Sequence, residues 1–398
     1  MDMKKLWLTV GGVILFAAVA IGVAAGLLAM RSTQPIEPEP EPPVAEQPVP
    51  EPIAMGGEMR ILMGGNIYWG RRINTSSRAS TLGVQYPFSG LHTLGRENYD
   101  AWIAGLECPV TDNGHNKYHE ETLLKFNCDP DYLPEAAKWF TAVSLGNNHT
   151  DNQEPGGFTK TKEYLAANNI QYFGHYDYRD TAEVCAPIVL PIRVSYDDGS
   201  TRESKTVVAL CGYHGVFGIP TDKSLQEIKR WAAVMPVISM PHMGSEYKAA
   251  SDSIRENTYR KMIDYGAAMV IGDHPHWVQN TEAYKGKLIV YSMGNFIFDQ
   301  TFSSEVKRGA VIDATLTFAD NYDFGSWEQV AETCLTNRAG CLASATAAKL
   351  AQAGADWKFD YHAVLNNGKD VTSLGDAALQ KAVGERLKWA TTMKALGQ

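Results

Sequence analysis

The chain has 398 residues, of which 44% are hydrophobic, 20% charged and 10% aromatic, a balance that excludes a wholly disordered, collagenous or fibrous chain. Its formal charge is −9, from 45 acidic and 36 basic residues, and no long basic stripe is present, so nucleic acid is not an expected partner. The length fits one large domain or two ordinary ones, preceded by about 55 residues of different make-up.

The first predicted element is a membrane anchor at residues 6–30. Leu6 to Met30 form a 25-residue run without a charge. At ~1.5 Å per residue this is a helix of roughly 37 Å, enough to cross a hydrocarbon core of ~30 Å with some tilt. Lys4 and Lys5 precede it, and only Arg31 follows before an acidic stretch. Residues 1–5 are therefore expected in the cytoplasm and the main domain outside, a single-pass protein of the cell membrane. The rival, a cleaved signal peptide, has a shorter apolar core of about 7–15 residues, and Leu28-Ala29-Met30 is a poor cleavage site. Residues 31–57 read as a linker. Eight of the 18 residues from Pro35 to Pro52 are proline, with Glu37, Glu39, Glu41, Glu46 and Glu51 between them, which predicts extended polyproline II.

From residue 58 to about 320 short apolar runs alternate with helical patterns. Arg60 to Met63, Trp102 to Leu106, Ala142 to Leu145, Val207 to Leu210, Val237 to Met240, Met269 to Ile271 and Leu288 to Tyr291 are bounded by turn residues and read as buried strands. Gly157 to Ala167 and Ser251 to Tyr265 read as helices between them. The pattern is α/β. Gly309 to Phe318 reads as a last strand, and residues 321–398 as a helical extension, with helices over Glu328 to Ala353 and Asp376 to Lys394. The six cysteines form no C-x-x-C pair. Cys334 and Cys341 either close a small loop or are free thiols.

The strand ends carry the chemistry. Glu107, Asn148, His149, His242, His274 and His276 each follow a predicted strand, and in α/β sheets sites assemble beyond the carboxyl ends of strands. Imidazole with carboxylate and amide oxygen suits manganese, zinc or iron. Asn147 and Asn148 also read as caps of the next helix. Arg71 and Arg72 could hold an anion by bidentate hydrogen bonds. Glu246 and Tyr247 could orient His242 or simply pack, and His214 could face the same cleft. No G-x-S-x-G elbow or P-loop is present.

Six blocks follow one another in a specific order: Gly65-Asn-Ile-Tyr-Trp-Gly-Arg71, Leu106-Glu-Cys-Pro-Val-Thr-Asp112, Asn147-Asn-His-Thr-Asp151, His242-Met-Gly-Ser-Glu-Tyr247, Gly272-Asp-His-Pro-His276, and the stretch from Tyr284 to Asp299. Together they resemble the CapA family of poly-γ-glutamate capsule synthesis proteins, over about Glu58 to Phe318. The resemblance implies a four-layer α/β/β/α sandwich like that of the calcineurin-like metallophosphoesterases, with a site for one or two divalent metals. Glu107 would bridge, Asn148, His242 and His274 would complete one position, and His276 would belong to the other. His149 would be a general acid or charge-stabilising donor, and Arg71 would hold substrate. Two positions depart from the family pattern: Asn66 stands where Asp is usual, and Gly105 where Asn is usual. A neutral amide at 66 removes one of two negative charges, which favours one metal over two; Asp151, Asp273 and Asp299 are either substitute carboxylates or groups that cap loops and orient a neighbouring His. Two functional readings follow. One is a metal-dependent hydrolase or transferase of capsule or surface-polymer biosynthesis. The other is a non-catalytic protein that binds an anionic surface polymer or scaffolds its synthase complex in the membrane.

Overall fold

The strand β1 (Ala54–Ile67) organises the sheet because it has different neighbours along its length. On one edge, Ala54 to Glu58 pair antiparallel with β5 (Cys185–Tyr196), and Ile61 to Ile67 pair parallel with β2 (Ala101–Leu106). On the other, Gly57 to Met63 pair antiparallel with β12 (Arg308–Phe318), and Asn66 and Ile67 pair with β11 (Asn295–Ile297). The sheet therefore divides at β1. One arm runs through β2 to β3 (Ala142–Ser144) and β4 (Gln171–Phe173), all parallel. The other runs through β5 to β6 (Thr201–His214), β7 (Val237–His242), β8 (Met269–Ile271), β10 (Lys287–Val290) and β9 (Thr281–Tyr284), with β6, β7, β8 and β10 parallel. The computed structural model describes residues 51–154, 156–348 and 355–398. The expected anchor at 6–30 and most of the linker at 31–57 lie outside the described residues. Among the described residues, no helix is long and apolar enough to cross a membrane.

Alternation along the central strands feeds two hydrophobic clusters. Met59, Ile61, Met63, Ala101 and Ile103 face one, with β5 to β8 and the helices Asp222–Ala232 and Ser253–Asp264. Leu62, Trp102, Ala104 and Val143 face the other, with Ile73 of the helix Arg71–Ala79 and Leu165 of the helix Gly157–Ala167. Burial on both faces explains why these strands are nearly continuous apolar runs.

β5 is not among the expected strands, and it carries Pro187 and Pro191, which a strand interior rarely holds. Register explains how both fit. The backbone N–H and C=O of Val189 bond the Gln171 side chain at 2.9 and 2.8 Å instead of β6. Residues two apart face the same way, so the two prolines turn their missing donors to that unladdered side.

The C-terminal region differs from the expected helical extension. β13 (Ala355–Asn366) pairs with the whole of β12 and carries β14 (Thr372–Leu374). The helix Phe324–Thr336 stops at Asn337, and the helices Ala377–Leu387 and Trp389–Leu396 are separated by Lys388, whose φ is 55°. The six cysteines form three disulfides, Cys108–Cys128, Cys185–Cys211 and Cys334–Cys341. Cys185 and Cys211 are direct cross-strand partners of β5 and β6. Replacing both by serine is expected to lower stability by about 2–4 kcal/mol, read from a denaturant midpoint. An unchanged midpoint would mean that the β5–β6 ladder alone fixes this pair.

Candidate metal centre

The parallel strands bring their carboxyl ends to one place. Glu107 follows β2, with its N–H donated to the Ile67 carbonyl of β1 at 2.9 Å. His242 ends β7, and residues 273–276 follow β8. Close backbone approach completes the junction, since a Cβ at Gly65 would fall 2.0 Å from the Gly294 carbonyl oxygen.

One donor atom from each of Glu107, His242 and His274 lies within 4.8 Å of the others, and all three residues are buried. Asn148 Oδ1 is 2.8 Å from His242 Nε2, and His274 Nδ1 is 3.1 Å from the same nitrogen. On the other side of Glu107, its Oε1 stands 3.7 Å from His276 Nε2 and 3.9 Å from His149 Nε2. Among the described residues, neither Glu107 oxygen has a hydrogen-bond partner.

The hydrogen bonds behind the imidazoles fix which nitrogen faces inward. His242 Nδ1 bonds Asp273 Oδ1 at 2.9 Å, and His276 Nδ1 bonds Asn295 Oδ1 at 2.7 Å. Asn295 donates its own amide to Gln300 and to the Val306 carbonyl, so its oxygen accepts from His276. In both rings Nε2 then turns a lone pair toward Glu107. Carboxylate oxygens, the Nε2 lone pairs of His242 and His276 and the Asn148 amide oxygen converge, which is the chemistry of a cation site.

Burial sets the electrostatics. Burial, then the charges of Asp273 and Glu246, pushes the Glu107 carboxyl well above the usual range. Burial also holds His242 and His274 well below the usual imidazole value, His149 at about 4 and His276 at about 3. The rings are thus neutral and able to ligate, and a divalent cation reverses the balance at Glu107 in favour of the carboxylate. The backbone is strained here as well. Arg71, Tyr247, His274 and His276 have φ of 41°, 57°, 89° and 58°. Such conformations persist where surroundings over-determine them and cluster at functional sites.

Several side chains stand differently from expectation. Asn66 lies in the cluster, but its Oδ1 accepts the His274 N–H at 3.3 Å and its Nδ2 faces His276 Nδ1 at 3.1 Å. Asn147 and Asn148 cap no helix, because the next one starts at Gly157. Asn147 instead ties the Leu106 carbonyl to the His149 N–H. Arg71 spends its Nε and Nη2 on Asp299, at 3.0 and 2.6 Å, so the bidentate edge expected for substrate is engaged. Arg72 is paired with Asp370, and Asp151 lies outside the cluster. Glu246 and Tyr247 approach His276, not His242. His214 pairs with His242 in the β6–β7 register, but its Nδ1 turns to the Tyr176 carbonyl. His149, expected as a proton donor, stacks on Phe126 and bonds Asn152 Oδ1 through Nδ1, leaving Nε2 as an acceptor. Asn295, Asn152 and Phe126 were missed as supports. Asn295 was within reach because it lies in the last sequence block, whereas nothing local marks the other two.

A cavity of about 500 Å³ opens onto Glu107, His149 and His276, beside Arg71, Glu246 and Tyr247.

The family described as bacterial capsule synthesis protein PGA_cap matches residues 60–300. The capsule biosynthesis protein CapA of Bacillus anthracis is 28% identical over 252 residues, covering 61% of this chain and 60% of that one. The PGA biosynthesis protein CapA of Bacillus subtilis (strain 168) is 28% identical over 219 residues, covering 50% and 53%. The chain therefore spans only half to three-fifths of the length of these relatives. A crystal structure from Thermus thermophilus aligns with a TM-score of 0.34 at 10% identity, covering 64% of this chain and 93% of that one, too weak a likeness to carry an argument. The family match contains every residue of the buried cluster from Asn66 to His276, and the chain belongs to the bacterial capsule synthesis protein family PGA_cap, as its resemblance to CapA proteins implied.

Proposed function

We propose that this chain is a membrane-anchored, extracytoplasmic protein of capsule or poly-γ-glutamate-type polymer biosynthesis, with a metal-dependent site of the hydrolase or transferase kind on a four-layer metallophosphoesterase-like sandwich. The names of its relatives support the biological setting. The two hydrophobic clusters flanking the central strands support the layered architecture. Three disulfides fit an oxidising compartment and hence the expected topology. Protease digestion of intact cells should remove the main domain, and its protection would reverse the topology.

The observation that carries the site reading is Glu107, buried with both oxygens unpartnered among inward-facing imidazoles. Glu107, Asn148, His242 and His274 would hold one manganese, zinc or iron. When bound, such an ion supplies Lewis-acid polarisation of a phosphoryl or carbonyl oxygen. The chain's own groups do the rest. Asp273 and Asn295 hold their imidazoles in one tautomer, His149 presents an acceptor nitrogen toward Glu107 beside the cavity, and the Arg71–Asp299 pair stiffens the wall.

Asn66 favours a second reading, a non-catalytic polymer-binding or scaffold protein. The Asn66 amide nitrogen lies behind the His276 ring, bonding Asn295 Oδ1 at 3.4 Å, and the residue brings no negative charge for a second cation. Elemental analysis of the purified full-length chain separates the two. One divalent ion per chain supports the first reading, and none supports the scaffold. Asn66→Asp is expected to raise the content toward two, because it restores a carboxylate beside His276. Unchanged stoichiometry would contradict the charge argument.

A further inference from the structure

A second cavity of about 500 Å³ shares no lining residue with the one at the metal centre. Its walls are β4, the start of β5, the helix Asp222–Ala232 and the loop that Cys334–Cys341 closes. β4 ladders with β3, and its other edge faces β5, where the Gln171 side chain bonds the Val189 backbone. Its size falls within the ~300–1,000 Å³ typical of small-molecule sites.

The charges within it do not cancel. Lys162 is paired with Glu183 at 2.8 Å, and Arg230 with Glu227 at 3.0 Å. Arg338, in the disulfide-closed loop, has no carboxylate within ion-pair distance among the described residues. It bonds the Tyr172 carbonyl through Nη2, and its Cζ lies 4.6 Å over the Tyr172 ring. Burial draws the guanidinium below its usual pKa, a cost that a ligand anion would offset. The loop is set rather than loose, since Asn337 Oδ1 accepts the Gly340 N–H at 3.0 Å. Trp231 and Leu342 supply apolar wall.

We propose that this cavity binds a small monocarboxylate with an apolar or aromatic body, its carboxylate on Arg338 and its body against Tyr172 and Trp231. One unmatched positive charge suits one anionic group, and the nearby Glu183 and Glu227 repel a polyanion. The acidic polymer itself is therefore not the ligand, and the site stands independently of the reading of the metal centre. The Cys334–Cys341 bridge acquires a role: it holds the arginine at the cavity.

Calorimetric titration of the purified full-length chain with N-acetylphenylalanine and with its neutral amide tests this. Saturable one-to-one binding of the acid is expected, with the amide at least about 10-fold weaker, as a charge-assisted pair requires. Arg338→Gln should weaken the acid by about 10-fold or more and leave the amide unchanged. Should Arg338→Gln melt early, Ala182→Phe, which fills the cavity and keeps the arginine, decides, and it should weaken both ligands. Replacing Cys334 and Cys341 by serine, which leaves the other two disulfides in place, should weaken the acid as Arg338→Gln does. Absence of binding, equal affinity for acid and amide, tighter binding of phenyl phosphate than of the acid, or full affinity in a properly folded variant would each overturn the proposal.

Discussion

Glu107→Gln should bind its divalent ion at least about 100-fold more weakly than the parent chain while leaving the metal-free protein as stable or more so. Changes to the partners that merely hold ligating groups already cost ~10–100-fold in metal affinity. Glu107 stands at the centre of the cluster, within 4.0 Å of His149, His242 and His276 nitrogens, and is the acid among the three residues that close on one point. Glutamine keeps the shape and one oxygen but removes the charge that a hard cation needs. In the metal-free protein the same carboxyl is buried, unpartnered and pushed well above its usual pKa by burial, so glutamine relieves a cost there. The two effects have opposite signs, which makes the measurement discriminating. Saturating a folded protein at 100 times its dissociation constant adds about 2.7 kcal/mol of stability. The parent should therefore melt markedly higher with added manganese or zinc, and Glu107→Gln should not. An equal rise in both would move the cation away from Glu107.

Much of this centre was legible because the local signals were strong. Valine- and isoleucine-rich runs ending in Gly, Asn or His mark parallel strands whose ends carry ligating side chains. β2, β3, β7 and β8 start and stop within a residue or two of the expected bounds. β5 was not among the expected strands, and the tolerance of its two prolines depends on which way Val189 faces, a property of register rather than sequence. β13 did carry a signal. Trp357, Phe359, Tyr361 and Ala363 alternate with polar residues at period two, and the alanine-rich stretch before it drew attention toward helix. The pairing of Cys185 with Cys211 follows only once β5 and β6 are aligned. Asn295 stood in a matched block, but its contact with His276 spans 19 positions and is set by the fold, whereas Asn152 supports His149 from three positions away without a residue type that marks it. The engagement of Arg71 by Asp299, 228 positions away, is likewise set by the fold.

Gly105 lies directly against Asp273, and the expected result is a strong coupling between positions 105 and 273. A Cβ at Gly105 would lie 2.2 Å from Asp273 Oδ2 and otherwise meet nothing closer than the Gly65 carbonyl at 3.9 Å, the Asp273 Cγ at 3.4 Å aside. Asp273 cannot swing away cheaply, because its other oxygen holds His242 Nδ1 and the residue is 4% exposed. The space over Gly105, where the CapA resemblance leads one to expect asparagine, is thus occupied by a carboxylate that orients a candidate ligand. Gly105→Asn alone should cost about 1–3 kcal/mol through overpacking. Asp273→Ala alone should leave His242 free to rotate and weaken metal binding by about 10–100-fold. The double variant Gly105→Asn/Asp273→Ala should be less destabilised than the sum of the two, by about 1–3 kcal/mol, because asparagine then enters a vacated space. Denaturant midpoints of the four metal-free proteins give this coupling directly. Additive effects would mean that Asp273 moves aside without loss, and that His242 is oriented by Asn148 and His274 instead.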